Sequence, residues 1–157
     1  MNKRIFTSSY DKCGNIGNLI SISGDRGKMI GFTGKALPQL APKLEFWNIW
    51  HSNIGKISQE ENTEYYIKEY YKQVLLKVNI EELLKNEKNP ILLCYEKSEE
   101  FCHRHIEAEY IQMKYGLVVP EIEITSELEI KQNERPKNVR KVLENIMKRE
   151  QLKGTNR

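Results

Sequence analysis

Between Cys94 and His105, twelve consecutive positions hold two of the three cysteines, two of the three histidines, Arg104 and the carboxylate of Glu96. Each residue type brings a defined chemistry. A thiol beside arginine or histidine at a helix start has a lowered pKa, which makes Cys102 a candidate nucleophile. Cys94 ends an apolar run and reads as a small hydrophobe. Glu96 and His103 are candidates for general acid–base work. Arg104, together with free helix N–H groups, suits a phosphate or carboxylate. Cys94, Cys102, His103 and His105 also carry the donor atoms that zinc takes, but neither common ligand spacing is present, so no metal and no cofactor are expected. A Cys94–Cys102 disulfide requires two thiols that meet in space, which a sequence does not disclose. Neither cysteine has an arginine six positions on, so no Cys-x5-Arg phosphate loop is formed. The purely structural alternative is a Glu96–Arg104 ion pair that ties a helix start to a strand end.

These residues need elements that position them. Ile91-Leu92-Leu93-Cys94 follows Pro90 and shows no alternation, as a central strand covered on both faces would. Lys97 to Glu100 is a polar turn. A helix follows from about Glu99 or Cys102 to Tyr115, with Ile106, Tyr110 and Met113 as its inward stripe, His103 a further candidate for it, and Gly116 as its C′ residue. In open α/β sheets ligands bind beyond the carboxyl ends of the strands, where this junction lies.

Leu93-Cys94-Tyr95-Glu96, the acidic turn and Cys102-His103-Arg104 together resemble the family known as domain of unknown function 488. Ser23-Gly24-Asp25-Arg26-Gly27, Gly31-Phe32-Thr33-Gly34 and Trp47-Asn48-Ile49-Trp50-His51 resemble one subgroup of it. The resemblance covers roughly residues 4 to 123. It implies a compact α/β fold and a position for the site, and no reaction.

Upstream, Arg4 to Tyr10 and Asn18 to Ser23 read as strands. The gap between them is shorter than a parallel crossover usually needs, so the pair is antiparallel or the crossover is a bare loop. Gly24 to Gly34 fits neither dinucleotide nor phosphate-loop spacing, and is either a surface loop or a ligand loop. Asp25 and Arg26 from this loop, with Tyr10 from the first strand, join Arg104 in the anion-binding set. A short helix after Pro42 carries Trp47 and Trp50, read as core or interface. His51, Asn53 and Lys56 follow it and are weighed as cleft residues against plain packing. Ser58 to Val78 is a helix with an inward stripe of Tyr66, Ile67, Tyr70, Tyr71, Val74, Leu75 and Val78. Asn79 with Glu82 caps another. Leu117 to Ile124 is a last strand that Pro120 places at a sheet edge. Pro136 to Lys153 is a helix with Lys137, Arg140, Lys141, Lys148, Arg149 and Lys153 on its polar side. That side is a solvated face, or else a nucleic-acid contact.

The chain has 157 residues and a net charge of +3, which permits a nucleic-acid partner without arguing for one. No run reaches the ~18–20 apolar residues of a membrane span, and Met1-Asn2-Lys3-Arg4-Ile5 is followed by no apolar leader region. An odd cysteine count outside any secreted pattern points to a reducing cytoplasm. The expectation is a compact three-layer α/β domain over residues 1–124, with a small, mostly parallel sheet flanked by helices. Residues 125–157 add a polar segment and a basic helix packed on that domain or extending from it. The expected function is a hydrolase or transferase. Its small anionic, phosphate- or nucleotide-like substrate meets Arg104, Asp25, Arg26 and Tyr10, and Glu96, Cys102 and His103 are catalytic. The alternative is a nucleic-acid-binding module with a structural Glu-Arg motif.

Overall fold

A computed structural model describes residues 3–155. Met1, Asn2, Asn156 and Arg157 lie outside the described residues, and with them the extreme ends of the two segments expected above. Among the described residues the strands are β1 (Phe6–Ser9), β2 (Asn18–Ser21), β3 (Lys35–Ala36), β4 (Pro90–Cys94), β5 (Glu121–Ile124) and β6 (Ile130–Asn133). They form one sheet in the order β3-β2-β4-β1-β5-β6. All pairs are parallel except β5 with β6. β4 is buried at every position, as an apolar strand between two parallel neighbours should be. Its register sets Cys94 opposite Ser9 of β1 and Leu93 opposite Ser21 of β2. The three strands therefore end together at one edge of the domain.

The helices are α1 (Leu44–Asn53), α2 (Gln59–Gln73), α3 (Ile80–Leu84), α4 (His103–Tyr115) and α5 (Asn138–Thr155). Ser58 caps α2 by accepting from the Glu61 amide at 3.1 Å, and Asn79 caps α3 from the Glu82 amide at the same distance. Gly116 ends α4 in the left-handed conformation, φ 69°, which glycine adopts without a Cβ clash. Residues of all five helices join one large apolar cluster with Ile5, Ile20, Ile22 and Leu92. Tyr66, Ile67, Tyr70 and Tyr71 of α2 are buried there, each contributing roughly 1.5–3 kcal/mol by leaving water. A smaller cluster of Ile91, Leu93, Ile122 and Cys13 is covered by Phe6, Tyr10, Leu19 and Phe32, from strands and loops rather than helices. The molecule is thus a compact α/β domain with a small, mostly parallel sheet. No described helix is long and apolar enough to cross a membrane.

Four readings are corrected or completed here. β1 and β2 are not neighbours: β4 sits between them, parallel to both, and the loop from Tyr10 to Gly17 is a bare crossover. Pro120 does not mark an edge. It precedes β5, whose far side is paired by β6, an element hidden in a stretch that reads as polar linker. Cys13, which its place in the turn after Asp11 and Lys12 makes accessible by sequence, is buried. α5 does not extend away: Val139, Leu143 and Ile146 are buried in the main cluster.

Candidate functional site

β4 ends at Cys94, and the chain passes through Tyr95 and Glu96 into a turn closed by the Lys97 amide donating to Glu100 Oε1 at 2.9 Å. Cys102 is the N-cap of α4, with extended φ −159°, ψ 149°. An extended cap followed directly by a helical residue lets the side chains of Cys102 and His103 meet rather than diverge. Above this junction lies a cleft of about 620 Å³, within the range of small-molecule sites. Trp47, Trp50, Tyr66 and Phe101 wall it, and their rings are in edge-on or tilted contact. Met29 and Leu44 are exposed at its lips. Cys94, Cys102 and His103 line its buried end. Glu96, Asp25, Lys43 and Tyr95 are the other charged or titratable side chains on it.

A disulfide joins Cys94 and Cys102. The Arg104 guanidinium stands behind it, Nη1 donating to Cys94 Sγ at 3.1 Å and to Cys102 Sγ at 3.5 Å. His103 Nε2 lies 2.8 Å from the Ile22 carbonyl, which can only accept. The ring hydrogen is therefore on Nε2, and the Nδ1 lone pair faces Cys102 Sγ at 3.8 Å. Burial lowers the His103 pKa to about 4, aided by the Arg104 charge and opposed by the bond to Ile22, so the ring is neutral at pH 7. Glu96 is pushed above the usual carboxylate range by desolvation, against its backbone N–H and the charge of Arg104.

Arg104 is 0 % exposed and belongs to a second, fully buried network. Its Nε and Nη2 donate to the two oxygens of Glu121 at 3.1 and 2.7 Å. Thr7 and Ser98 donate to the same carboxylate at 2.6 and 2.7 Å. Burial works to raise the Glu121 pKa, but the hydrogen bonds and charge of Arg104, then Thr7 and His105, hold it well below the ordinary value. His105 points to this side, Nδ1 4.0 Å from Glu121 Oε1, away from the cysteines. The Glu96–Arg104 pair of the structural alternative is therefore replaced by Glu121–Arg104, and the expected direct contact of Arg104 with an anion is not what this geometry offers. Its hydrogen bonds are spent on Glu121 and the two sulfurs.

The remaining candidates separate. Asp25 reaches the cleft. It accepts from the Gly27 and Met29 amides at 2.8 and 3.1 Å and from the Tyr95 hydroxyl. Desolvation works to raise its pKa, but the Tyr95 and backbone hydrogen bonds outweigh this and lower it. Arg26 lies instead in a shallow depression with Lys28, Phe32 and Thr33. Tyr10 sits one layer back, its hydroxyl 2.6 Å from both Ser21 and Ser23 Oγ and its ring against Tyr95 and Phe32. His51 stacks on Trp47, Asn53 bonds Asn62, and Lys56 bonds Ser52, so none of the three lines the cleft. The residues missed were Trp47, Trp50, Tyr66 and Phe101 as a cleft wall, and Glu121 as Arg104's partner. The only signals available were the aromatic pair itself and an acidic residue starting a strand.

Residues 16–115 match the model of a family described as "DUF488-N3a: Active DUF488-N3 subclade". No curated protein matches the chain, and no solved structure does. The matched span runs from before β2 through the whole cleft to the end of α4, and the chain belongs to this family.

Proposed function

We propose that this member of the DUF488-N3a family is a small hydrolase or transferase. Its nucleotide-like substrate binds in the aromatic cleft and reacts at the strand-to-helix junction 94–105. The observation that carries the reading is the convergence of Cys102, His103 and Glu96 on a cleft walled by Trp47, Trp50, Tyr66 and Phe101. Four rings offer a base two kinds of contact, stacking and edge, each base–aromatic stack being worth roughly 1–3 kcal/mol. The amino-terminal end of the 13-residue α4 opens on the cleft at Cys102 and His103, and its dipole favours the anionic part of the substrate. Lys43 adds a charge at the rim. Glu96, which keeps its proton closer to neutrality than an ordinary carboxylate, serves as the acid–base group. The setting is a reducing cytoplasm, in which the Cys94–Cys102 disulfide opens to two thiols.

A nucleic-acid module is less well supported. Arg140, Lys148, Arg149 and Lys153 of α5 are each paired with a carboxylate, of Glu109, Glu144, Glu64 and Glu150 respectively. Lack of DNA or RNA binding at low salt ends that reading, because phosphate contacts are strongest there.

The test uses tryptophan fluorescence, since both tryptophans line the cleft. A nucleoside or nucleotide from a screen quenches it. Trp47→Ala weakens that binding by roughly tenfold or more, and Glu96→Gln leaves binding in place while lowering turnover by about 100-fold or more. Absence of any quenching ligand in the reduced protein would overturn the proposal.

A further inference from the structure

We infer that Cys94, Cys102 and His103, in the reduced protein, form a binding site for a divalent zinc-type cation with one coordination position open to the cleft. The inference deepens the proposed function, on which its role in a reaction rests; the binding itself stands on geometry.

Sγ of Cys94, Sγ of Cys102 and a ring nitrogen of His103 lie within 4.8 Å of one another, and all three residues are buried; reduction of the disulfide lets the two sulfurs part to the edge of a coordination tetrahedron. The 3.8 Å between Cys102 Sγ and His103 Nδ1 is close to an edge of a tetrahedron built with metal–donor distances of about 2.0–2.3 Å. The histidine is prepared for the role. Its Nε2–H is given to the Ile22 carbonyl, the second-shell bond that fixes the tautomer and aims the other nitrogen's lone pair at a metal. His105, whose ring faces Glu121, takes no part.

The charges select the ion. Arg104 and Glu121 cancel through their two-point bond, so the guanidinium adds no net charge while its Nη1 still supports both sulfurs. Two thiolates and a neutral imidazole then leave two negative charges, which a divalent cation balances. Thiolate with imidazole is the donor set of zinc rather than of magnesium or calcium. The backbone agrees. The Cα atoms of Cys94 and Cys102 are 7.8 Å apart, wider than the roughly 4.4–6.8 Å that disulfides usually span, and an ion between two thiolates fits the wider separation. Three protein ligands with a fourth position facing a ligand cleft is the arrangement of a catalytic rather than a structural zinc.

The experiment takes the full chain, reduced and treated with a chelator, and first counts three free thiols with a thiol reagent. Cobalt(II) is then added. One equivalent produces thiolate-to-metal charge-transfer absorption and the intense visible bands of a tetrahedral site, and zinc abolishes both. Cys94→Ser and Cys102→Ser each remove the charge-transfer band or halve it. His103→Gln weakens zinc binding, measured by competition with a chromogenic chelator, by at least the roughly 10–100-fold typical of a second-shell loss. Cys13→Ser changes neither. A fully reduced wild-type protein that gives no charge-transfer band overturns the inference without reliance on any variant's folding. So does a Cys94→Ser/Cys102→Ser double variant that binds cobalt as the wild type does. Nucleotide turnover that persists in excess chelator, with no metal bound, sinks the metal and leaves the proposed function standing. Metal binding without any quenching nucleotide does the reverse.

Discussion

Two buried carboxylates, Glu107 on α4 and Glu121 on β5 facing it, meet opposite fates. Glu121 and Glu107 are both 0 % exposed. Glu121 receives a two-point guanidinium bond and two hydroxyl donors, and stays ionised. Among the described residues Glu107 has only the Tyr70 hydroxyl, at 2.7 Å from Oε2, and burial pushes its pKa up to about 7 although that bond pulls it down. The same hydroxyl is 2.6 Å from the Leu40 carbonyl, which can only accept. One hydroxyl hydrogen cannot serve both oxygens at once, so an ionised Glu107 competes with the Leu40 carbonyl for it, and only a protonated Glu107 brings a hydrogen of its own. Depth does not decide the charge of a buried acid; the donors around it do.

The comparison breaks most visibly at Arg104. Arg104→Met leaves Glu121 charged and buried without its cation, and should cost about 3–5 kcal/mol in denaturant unfolding. A loss under 1 kcal/mol would mean that Glu121 is neutral in the native protein and the contrast is void. Next comes pH. Glu107 is raised from 4.5 to about 7, so its contribution to stability is fully present below pH 4.5 and is lost as pH rises through 7. Glu121 is lowered, so its contribution is present above the ordinary carboxylate pKa and is lost as pH falls toward its folded value. The wild type should therefore weaken on both sides of mild acidity, with an alkaline loss on the order of 3 kcal/mol from Glu107. Glu107→Gln should flatten that alkaline limb while keeping the acid one; thermal melts at about pH 5 and about pH 8 check it. An unchanged alkaline limb would place the titration elsewhere.

Tyr70→Phe sharpens the same point at smaller scale. It strips the hydrogen bond from the Leu40 carbonyl and from Glu107, and should cost about 1–3 kcal/mol, more at about pH 8 than at about pH 5. Equal costs at both values would show that Tyr70 does not sense the Glu107 proton. The smallest effect belongs to an acid at the surface. Glu64 meets Arg149 at 2.7 Å, but both are about half exposed. Arg149→Ala should change stability by no more than about 1 kcal/mol, and by less in high salt.

Local signals made much of this legible in advance. The apolar run at Ile91–Cys94, the stripe through Tyr66 and Tyr70, Asn79 before α3 and Gly116 after α4 all act within a few residues, and each lies where it was read. The cluster at Cys94, Glu96, Cys102 and His103 was legible too, because strand end, turn and helix start are contiguous. Partners distant along the chain were not legible. Nothing near Arg104 in sequence points to Glu121, which arrives through β5 in a parallel sheet. Trp47 and Trp50 carry a core signature, and only the packing of α1 beside α2 turns them toward a cleft. The meeting of Cys102 with His103 depended on one extended residue at the cap, which a spacing rule does not contain.

The order of the sheet also sets a timetable. β1 and β2 are both complete by Ser21, yet each finds its main partner in β4, which leaves the ribosome roughly 70 residues later. Until Pro90–Cys94 emerges, two short strands wait with unpaired edges, and the middle of the sheet closes only over long loops. Such non-local pairing is slow to form. A nascent chain stalled before Pro90, or a fragment cut there, keeps those edges and the stripe of α2 in water, where they invite pairing with other chains.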